Sequence, residues 1–179
     1  MSKAKTFFSR NVRELGLLLL IVVIALLANI RSGGLFITFK NIVDLLSETS
    51  MLIIAAMGMM MVIITGGIDL SIGSTMALAG MVATTVLKNN LSMPPVLVVL
   101  IAMGVGLVAG ALNGFLVSYP NILPIIATLG TMNMYRGITY LVSGGSWVLQ
   151  HDRSRAFMNL ATGQFLVLRF MVWIALALA

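Results

Sequence analysis

The 179-residue sequence has no cysteine, a single histidine (His151) and very little charge: eleven Lys and Arg and five Asp and Glu, 9% of the chain. Without thiols there is neither a disulfide framework nor a thiolate metal site, and one imidazole cannot build a histidine metal centre. An ordinary soluble domain carries about 25% charged residues, so this chain cannot clothe a soluble body of its size. Also missing are GxxxxGK[ST], HExxH, a nucleophile–base pair and paired carboxylates, the five acids being spread along the whole length. No P-loop holds a nucleotide, and no catalytic constellation, cofactor or metal set is expected. Any uphill movement must draw its energy from a partner or an ion gradient.

What is present is apolar. Hydrophobic residues make up 60% of the sequence, and mean hydropathy is +1.09. Disorder is excluded by the same numbers, because disordered segments are poor in hydrophobics and rich in charge. A polytopic membrane protein remains. A hydrocarbon core about 30 Å thick takes roughly 20 apolar helical residues. Uncharged runs at 15–30, 49–68, 70–87 and 89–135 meet or approach that length. Tyr119-Pro120-Asn121 supplies a turn inside the longest. Six hydrophobic segments follow, at about 15–30, 50–66, 71–87, 94–118, 122–142 and 165–179. They are solidly apolar rather than alternating, so the expected fold is an all-α transmembrane bundle in one domain over 1–179, its last segment incomplete.

The first fourteen residues carry Lys3, Lys5, Arg10 and Arg13 against Glu14 alone. The positive-inside rule places this tail in the cytoplasm. The apolar stretch after Arg13 has no small-residue cleavage site and reads as a retained first helix. The pI of about 10.4 follows from this bias; no basic stripe on a soluble face invites nucleic acid. Between the first two spans, over 36–48, Phe39, Ile42, Val43 and Leu46 recur at helical spacing, with Lys40, Asp44 and Glu48 on another face. That pattern predicts a short amphipathic helix lying on the lipid bilayer surface.

Gly66-Gly67-Ile68-Asp69-Leu70-Ser71 joins the second and third segments. Two glycines end one helix, and Asp69 or Ser71 can cap the next. The alternative gives Asp69 a place in a transport path, since an acid in the bilayer is costly. The cap accounts for every residue of the turn. Small residues form stripes: Gly73, Ala77, Gly80 and Thr84 in the third segment, and Gly106, Gly110 and Gly114, preceded by Ala102, in the fourth. Helices in lipid associate through such close-packing residues, which predicts contacts inside the bundle. Asn113 beside the stripe needs a hydrogen-bond partner.

The fifth segment, with Pro124, Thr128, Thr131, Asn133, Tyr135 and Arg136, is the most polar span and the candidate for lining a wet pathway. Arg136 is expected to snorkel to the interface, with Tyr135 and Tyr140 in the aromatic belt. Thr128 and Asn133 stand evenly between pathway and packing. Met57, Met59, Met60 and Met61 lack the Cys or His that a soft metal site needs and read as pliable packing residues. His151, beside Asp152 and Arg153, is expected in a solvated outer loop at 143–164.

Three motifs in order now carry a resemblance. Gly66-Gly67-Ile68-Asp69-Leu70-Ser71-Ile72-Gly73-Ser74 resembles the signature of the membrane-spanning permeases of ribose-type ABC sugar importers. Gly110-Ala111-Leu112-Asn113-Gly114-Phe115-Leu116-Val117 is similar to their next motif. Ala127-Thr128-Leu129-Gly130-Thr131-Met132-Asn133-Met134-Tyr135-Arg136-Gly137, followed by Ser143-Gly144-Gly145, is similar to a third. The resemblance implies a permease that pairs with a second copy or a homologue and receives a sugar or sugar-like ligand from an extracytoplasmic solute-binding protein. Two cytoplasmic ATP-binding subunits would drive it, and the permease itself would be no enzyme. It also implies a bacterial cytoplasmic (inner) membrane protein working by alternating access. Asp69, Asn113, Thr128 and Asn133 are the expected pathway or hinge residues. Permeases of this family are roughly twice as long and carry their ATPase-docking loop beyond the sixth span, so an N-terminal portion is expected. The rival reading is a gradient-driven secondary transporter with Asp69 as its proton or cation site, although no internal repeat supports it. A membrane-embedded enzyme ranks last.

Overall fold

Gly-Gly pairs and prolines punctuate the apolar sequence, and several helix ends fall on them. The computed structural model of the chain describes residues 12–146, 149, 154–165 and 168–178. Lys3, Lys5 and Arg10 of the tail and the His151–Asp152–Arg153 group lie outside those residues. The described elements are α1 (Val12–Arg31), α2 (Phe39–Ile64), α3 (Ile72–Asn89), α4 (Pro95–Ser118), α5 (Pro124–Ser143) and α6 (Arg155–Thr162). A two-residue strand pair, β1 (Gln164–Phe165) and β2 (Leu168–Arg169), and α7 (Phe170–Leu178) complete the order. The chain divides into two compact units between Glu48 and Thr49.

In the first unit α1 buries none of its residues. The turn after it is held by Asn29, whose Oδ1 accepts from Ile37 N at 3.1 Å, and by Asn41, whose Nδ2 donates to Phe36 O at 2.7 Å. Thr38 caps α2 by accepting from Asn41 N at 3.4 Å. The sequence led us to expect a surface helix over 36–48 followed by a separate span. Instead α2 runs unbroken from Phe39 to Ile64. Residues 47–51 contain neither Gly nor Pro, and Ser47 Oγ donates to Val43 O at 2.7 Å, a back-bond that a helix tolerates.

The end of α2 is built by its glycines. Gly66 adopts φ +81°, Gly66 N donates to Ile63 O at 2.9 Å and Gly67 N to Val62 O at 3.0 Å. These are the two bonds of a Schellman cap, and only Gly takes the left-handed position without steric cost. Gly144 (φ +58°) closes α5 with the same bond pair, to Leu141 O and Tyr140 O. Pro95 and Pro124 occupy the first helical positions of α4 and α5, where their missing N–H groups have no intrahelical partner to lose.

In the second unit α3 packs against both α4 and α5, more extensively than those two pack against each other. The buried face of α3 is Ser74, Leu78, Ala83 and Leu87. Two apolar clusters form there. Leu78, Ala109 and Tyr135 meet with Val82 and Val105; Ala83, Leu87 and Val98 meet with Met93, Ile101, Ala102 and Phe157. Many large apolar side chains are turned outward, Leu107 at 72% and Leu141 at 78% exposed among them. An exterior this apolar is what a bilayer accepts and water does not.

Three described helices are long and apolar enough to cross a membrane: α1, α2 and α4. We expected comparable segments at 71–87 and 122–142; helices stand there, but Lys88 and Asn89 in α3 and Asn133 and Arg136 in α5, with several Ser and Thr, lower their hydropathy. The small-residue stripes require a correction. Gly73, Ala77 and Gly80 lie on the exposed side of α3. A Cβ placed on Gly106, Gly110 or Gly114 meets no atom within 4 Å. These glycines mediate no close helix approach among the described residues. The outer loop also differs from expectation, because α6 occupies part of it, capped by Ser154 Oγ accepting from Phe157 N at 3.2 Å. The segment expected from 165 begins instead as the pair Gln164↔Arg169 and Phe165↔Leu168. Gly163 ends α6 in an extended conformation, and a side chain there would overlap the Asn159 carbonyl and the Phe170 ring.

Candidate functional site

The Schellman cap at Gly66 turns the chain out of α2, and Ile68-Asp69-Leu70 crosses to the start of α3. Asp69 and Ser71 are two apart, the spacing at which an Asx side chain bonds the backbone ahead of it. Asp69 Oδ1 accepts from Ser71 N at 2.7 Å and from Ser71 Oγ at 2.7 Å. Ser71 occupies the N-cap of α3 but makes no side-chain cap bond. Its single hydroxyl hydrogen is committed to Asp69. The cap expected of Asp69 or Ser71 is therefore an Asx turn made by Asp69.

Ser71 is wholly buried and reaches a second helix. Asn113 Nδ2 of α4 donates to Ser71 Oγ at 2.7 Å. The third helix joins through Thr128 of α5. Thr128 Oγ1 accepts from Leu70 N at 3.2 Å and lies 2.7 Å from Pro124 O, to which it donates. Ile68 O stands at 3.3 Å from the same hydroxyl. One connecting segment is thus bonded to α4 through Ser71 and to α5 through Leu70. Charge-assisted and buried bonds of this kind are stronger than their exposed counterparts.

Asn113 is only 6% exposed, and its Oδ1 has no hydrogen-bond partner among the described residues. Ser71 cannot supply one, because its hydrogen belongs to Asp69. A flipped amide would set two acceptors against each other at 2.7 Å, so the orientation is fixed by the chain of donors. A buried carbonyl left unpaired costs about 1–3 kcal/mol. Thr85 Oγ1 of α3 is likewise buried without a partner among the described residues.

Beside Asn113 lies a cavity of about 290 Å³. Asp69, Asn113 and Thr128 line it, together with Thr65, Gly110 and Gly114. Among the described residues no Lys or Arg borders it. Gly110 and Gly114, expected to be packing residues, are part of this wall.

Of the four expected pathway residues, three converge here and one does not. Asn133 is exposed, and its Nδ2 donates to Leu129 O at 3.0 Å on its own helix. Tyr135 is another departure. Rather than joining an interfacial belt it is 2% exposed, its hydroxyl donating to Ala109 O at 2.8 Å. Tyr140 and Arg136 are exposed and line a separate cavity with Thr139 and Ser143. Ser71 is the residue that sequence reasoning undervalued. The Asp-x-Ser spacing signalled its bond to Asp69, but nothing local signalled Asn113, 42 residues away.

Long apolar helices around a small cavity define a multi-pass membrane protein. The comparisons carry this further. The chain belongs to the family described as the permease component of the branched-chain amino acid transport system, whose pattern matches residues 41–179. It is 34% identical over 157 residues to the ribose import permease protein RbsC of Haemophilus influenzae, covering 87% of this chain and 47% of that protein. It is 32% identical over 172 residues to the autoinducer 2 import system permease protein LsrC of Salmonella typhimurium, covering 96% and 48%. Against LsrC of Enterobacter sp. it is 37% identical over 113 residues, covering 63% and 32%. The chain spans about half the length of the first of these relatives. No solved structure matches it.

Proposed function

We propose that this chain is a permease subunit of an ATP-binding-cassette importer that moves a monosaccharide or sugar-like ligand into the cytoplasm by alternating access. The observation that carries the reading is the cavity beside Asp69, Asn113 and Thr128, at the break between α2 and α3. A neutral polyol needs hydrogen-bond partners inside a bilayer, and a helix break is where irregular backbone and polar side chains can line a cavity. The import permeases named above share sequence with this chain over both flanks of that break. In this reading Asp69, Asn113 and Thr128 belong to the pathway, and the Gly66–Ser71 connection is the hinge. Asn133 serves α5 from outside the cavity.

The partners are two cytoplasmic ATP-binding subunits that hydrolyse ATP, an extracytoplasmic solute-binding protein that delivers the ligand, and a second permease copy or a homologue. The setting is a bacterial cytoplasmic membrane with the N-terminus inside. The test is sugar uptake in a strain lacking the ATP-binding partner. Uptake should be lost; undiminished accumulation overturns the reading.

A second reading draws on Asp69, an acid in the cavity with no basic residue beside it among the described residues. Asp69 would then be the coupling site of a gradient-driven transporter. Uptake that survives both Asp69→Asn and collapse of the proton gradient dismisses it.

A further inference from the structure

The C-terminal end of α5 carries a chemistry opposite to that around Asp69. A cavity of about 300 Å³ opens there, lined by Arg136, Thr139, Tyr140, Ser143 and Ser146 with Met81 of α3. Positions 136, 139, 140 and 143 follow the spacing of one helix face. Among the described residues no Asp or Glu lines this cavity, and the Arg136 side chain makes no ion pair or hydrogen bond. α5 is 20 residues long, about 30 Å as a helix and so the thickness of a hydrocarbon core. Arg136 stands about 10 Å short of its C-terminal end at Ser143, where a cation without a counter-charge is costly.

The hydroxyls of the wall divide into spent and unspent donors. Thr139 Oγ1 donates to Tyr135 O at 2.7 Å and Ser143 Oγ to Tyr140 O at 2.9 Å. The Tyr140 and Ser146 hydroxyls have no hydrogen-bond partner among the described residues. A side chain on Gly145 would meet Tyr140 Oη at 3.2 Å, so the phenol lies over the turn that closes α5. The negative end of that helix is covered as well. Gly144 N donates to Leu141 O and Gly145 N to Tyr140 O, both at 3.2 Å, which occupies two carbonyls that would otherwise repel an anion. What remains is a guanidinium and two free hydroxyls, a donor set that fits the oxygens of a phosphate.

We propose that this cavity binds the headgroup of an anionic phospholipid, with the Arg136 guanidinium and the Tyr140 hydroxyl donating to its phosphodiester oxygens. The surroundings favour a lipid over a soluble phosphate. Arg136 sits one turn below Tyr140 on a helix of membrane length, and an exposed tyrosine is typical of the membrane–water interface. Ile138, Leu141 and Val142, on the same turns of α5, are exposed apolar residues that acyl chains can cover. The only charge on the wall is positive. A headgroup of net negative charge is therefore preferred over a zwitterionic one, whose ammonium would approach the same guanidinium. The site is separate from the proposed transport path, because Asp69, Asn113 and Thr128 do not line it.

The test uses the 179-residue chain in a non-ionic detergent, with native mass spectrometry counting bound lipid. The probes are phosphatidylglycerol, phosphatidylcholine with the same acyl chains, and glycerol 3-phosphate. Phosphatidylglycerol should bind at least about fivefold more tightly than phosphatidylcholine, and excess glycerol 3-phosphate should not displace it. Arg136→Gln should bring phosphatidylglycerol down to the level of phosphatidylcholine. Lys40→Gln, which removes an exposed cation elsewhere, should leave the preference intact. Tyr140→Phe should weaken phosphatidylglycerol about two- to threefold, the loss of one hydrogen bond. Because Tyr140 is 69% exposed, that variant keeps the proposal testable if Arg136→Gln does not fold. Equal binding of the two lipids, displacement by glycerol 3-phosphate, undiminished binding in Arg136→Gln, or an equal loss in Lys40→Gln overturns the proposal.

Discussion

The same three helices meet at two levels, and the levels are built differently. At one, Leu78 of α3, Ala109 of α4 and Tyr135 of α5 close on each other, and the single polar group, the Tyr135 hydroxyl, finds Ala109 O. At the other, Ser71, Asn113 and Thr128 come from the same helices or the connection into them, and one carbonyl is left over beside a cavity. Along α4 the two levels are only one turn apart, Ala109 and Asn113 being four residues from each other. Tightly packed apolar groups hold the helices together at the first level; at the second, polar side chains bond across the helices beside a cavity. Scaffold and site are thus separated along the helix axis rather than between elements.

Substitutions at the two levels should therefore part stability from binding. The largest effect is expected from Leu87→Ala, a fully buried residue in the apolar cluster of Ala83 and Val98. A loss of about 2–5 kcal/mol is typical for such a cavity, read from thermal unfolding in detergent, with D-ribose affinity of the folded fraction unchanged. Ser71→Ala comes next. It removes the bonds to Asp69 and from Asn113 and strands a buried amide, which should cost about 2–3 kcal/mol and abolish ribose binding as well. Gly66→Ala forces a side chain into the left-handed conformation at φ +81°, at about 1–2 kcal/mol, and should shift the melting midpoint accordingly. Tyr135→Phe gives up one hydrogen bond at the apolar level, about 1 kcal/mol, and should leave binding untouched. Gly106→Ala should be the mildest, neutral or stabilising by up to about 1 kcal/mol, because a methyl there meets open space and Ala favours the helix. Clear destabilisation would mean that another helix seats on this stripe.

The all-α membrane fold was legible because apolar run length and charge spacing report it directly. The Gly66-Gly67 and Tyr119-Pro120-Asn121 breaks were legible from turn chemistry, as was the convergence of interest on Asp69. Three things were not. Spacing revealed that Gly106, Gly110 and Gly114 share a face, but α4 is apolar almost all round, so nothing in it says which way that face turns. Tyr135 and Arg136 are adjacent and both suit an interface; only the meeting of three helices buries the first and exposes the second. The unbroken course of α2 escaped because the charges at Lys40, Asp44 and Glu48 suggested a boundary, whereas a helix ends on its backbone signals, not on a change in polarity. Ser71 was undervalued for a different reason, since its partner Asn113 becomes a neighbour only when α3 and α4 pack.

The central claim is that the polar level is a ligand cavity and not merely a gap in the packing. Gly114→Leu tests it most directly, because Gly114 lines the cavity and a Cβ there touches nothing. The leucine should fill the space while leaving the fold intact. The account predicts an unfolding midpoint within about 2 °C of the native chain, on the scale of a few °C per kcal/mol, and loss of D-ribose binding. Native-strength D-ribose binding with the cavity filled would contradict it.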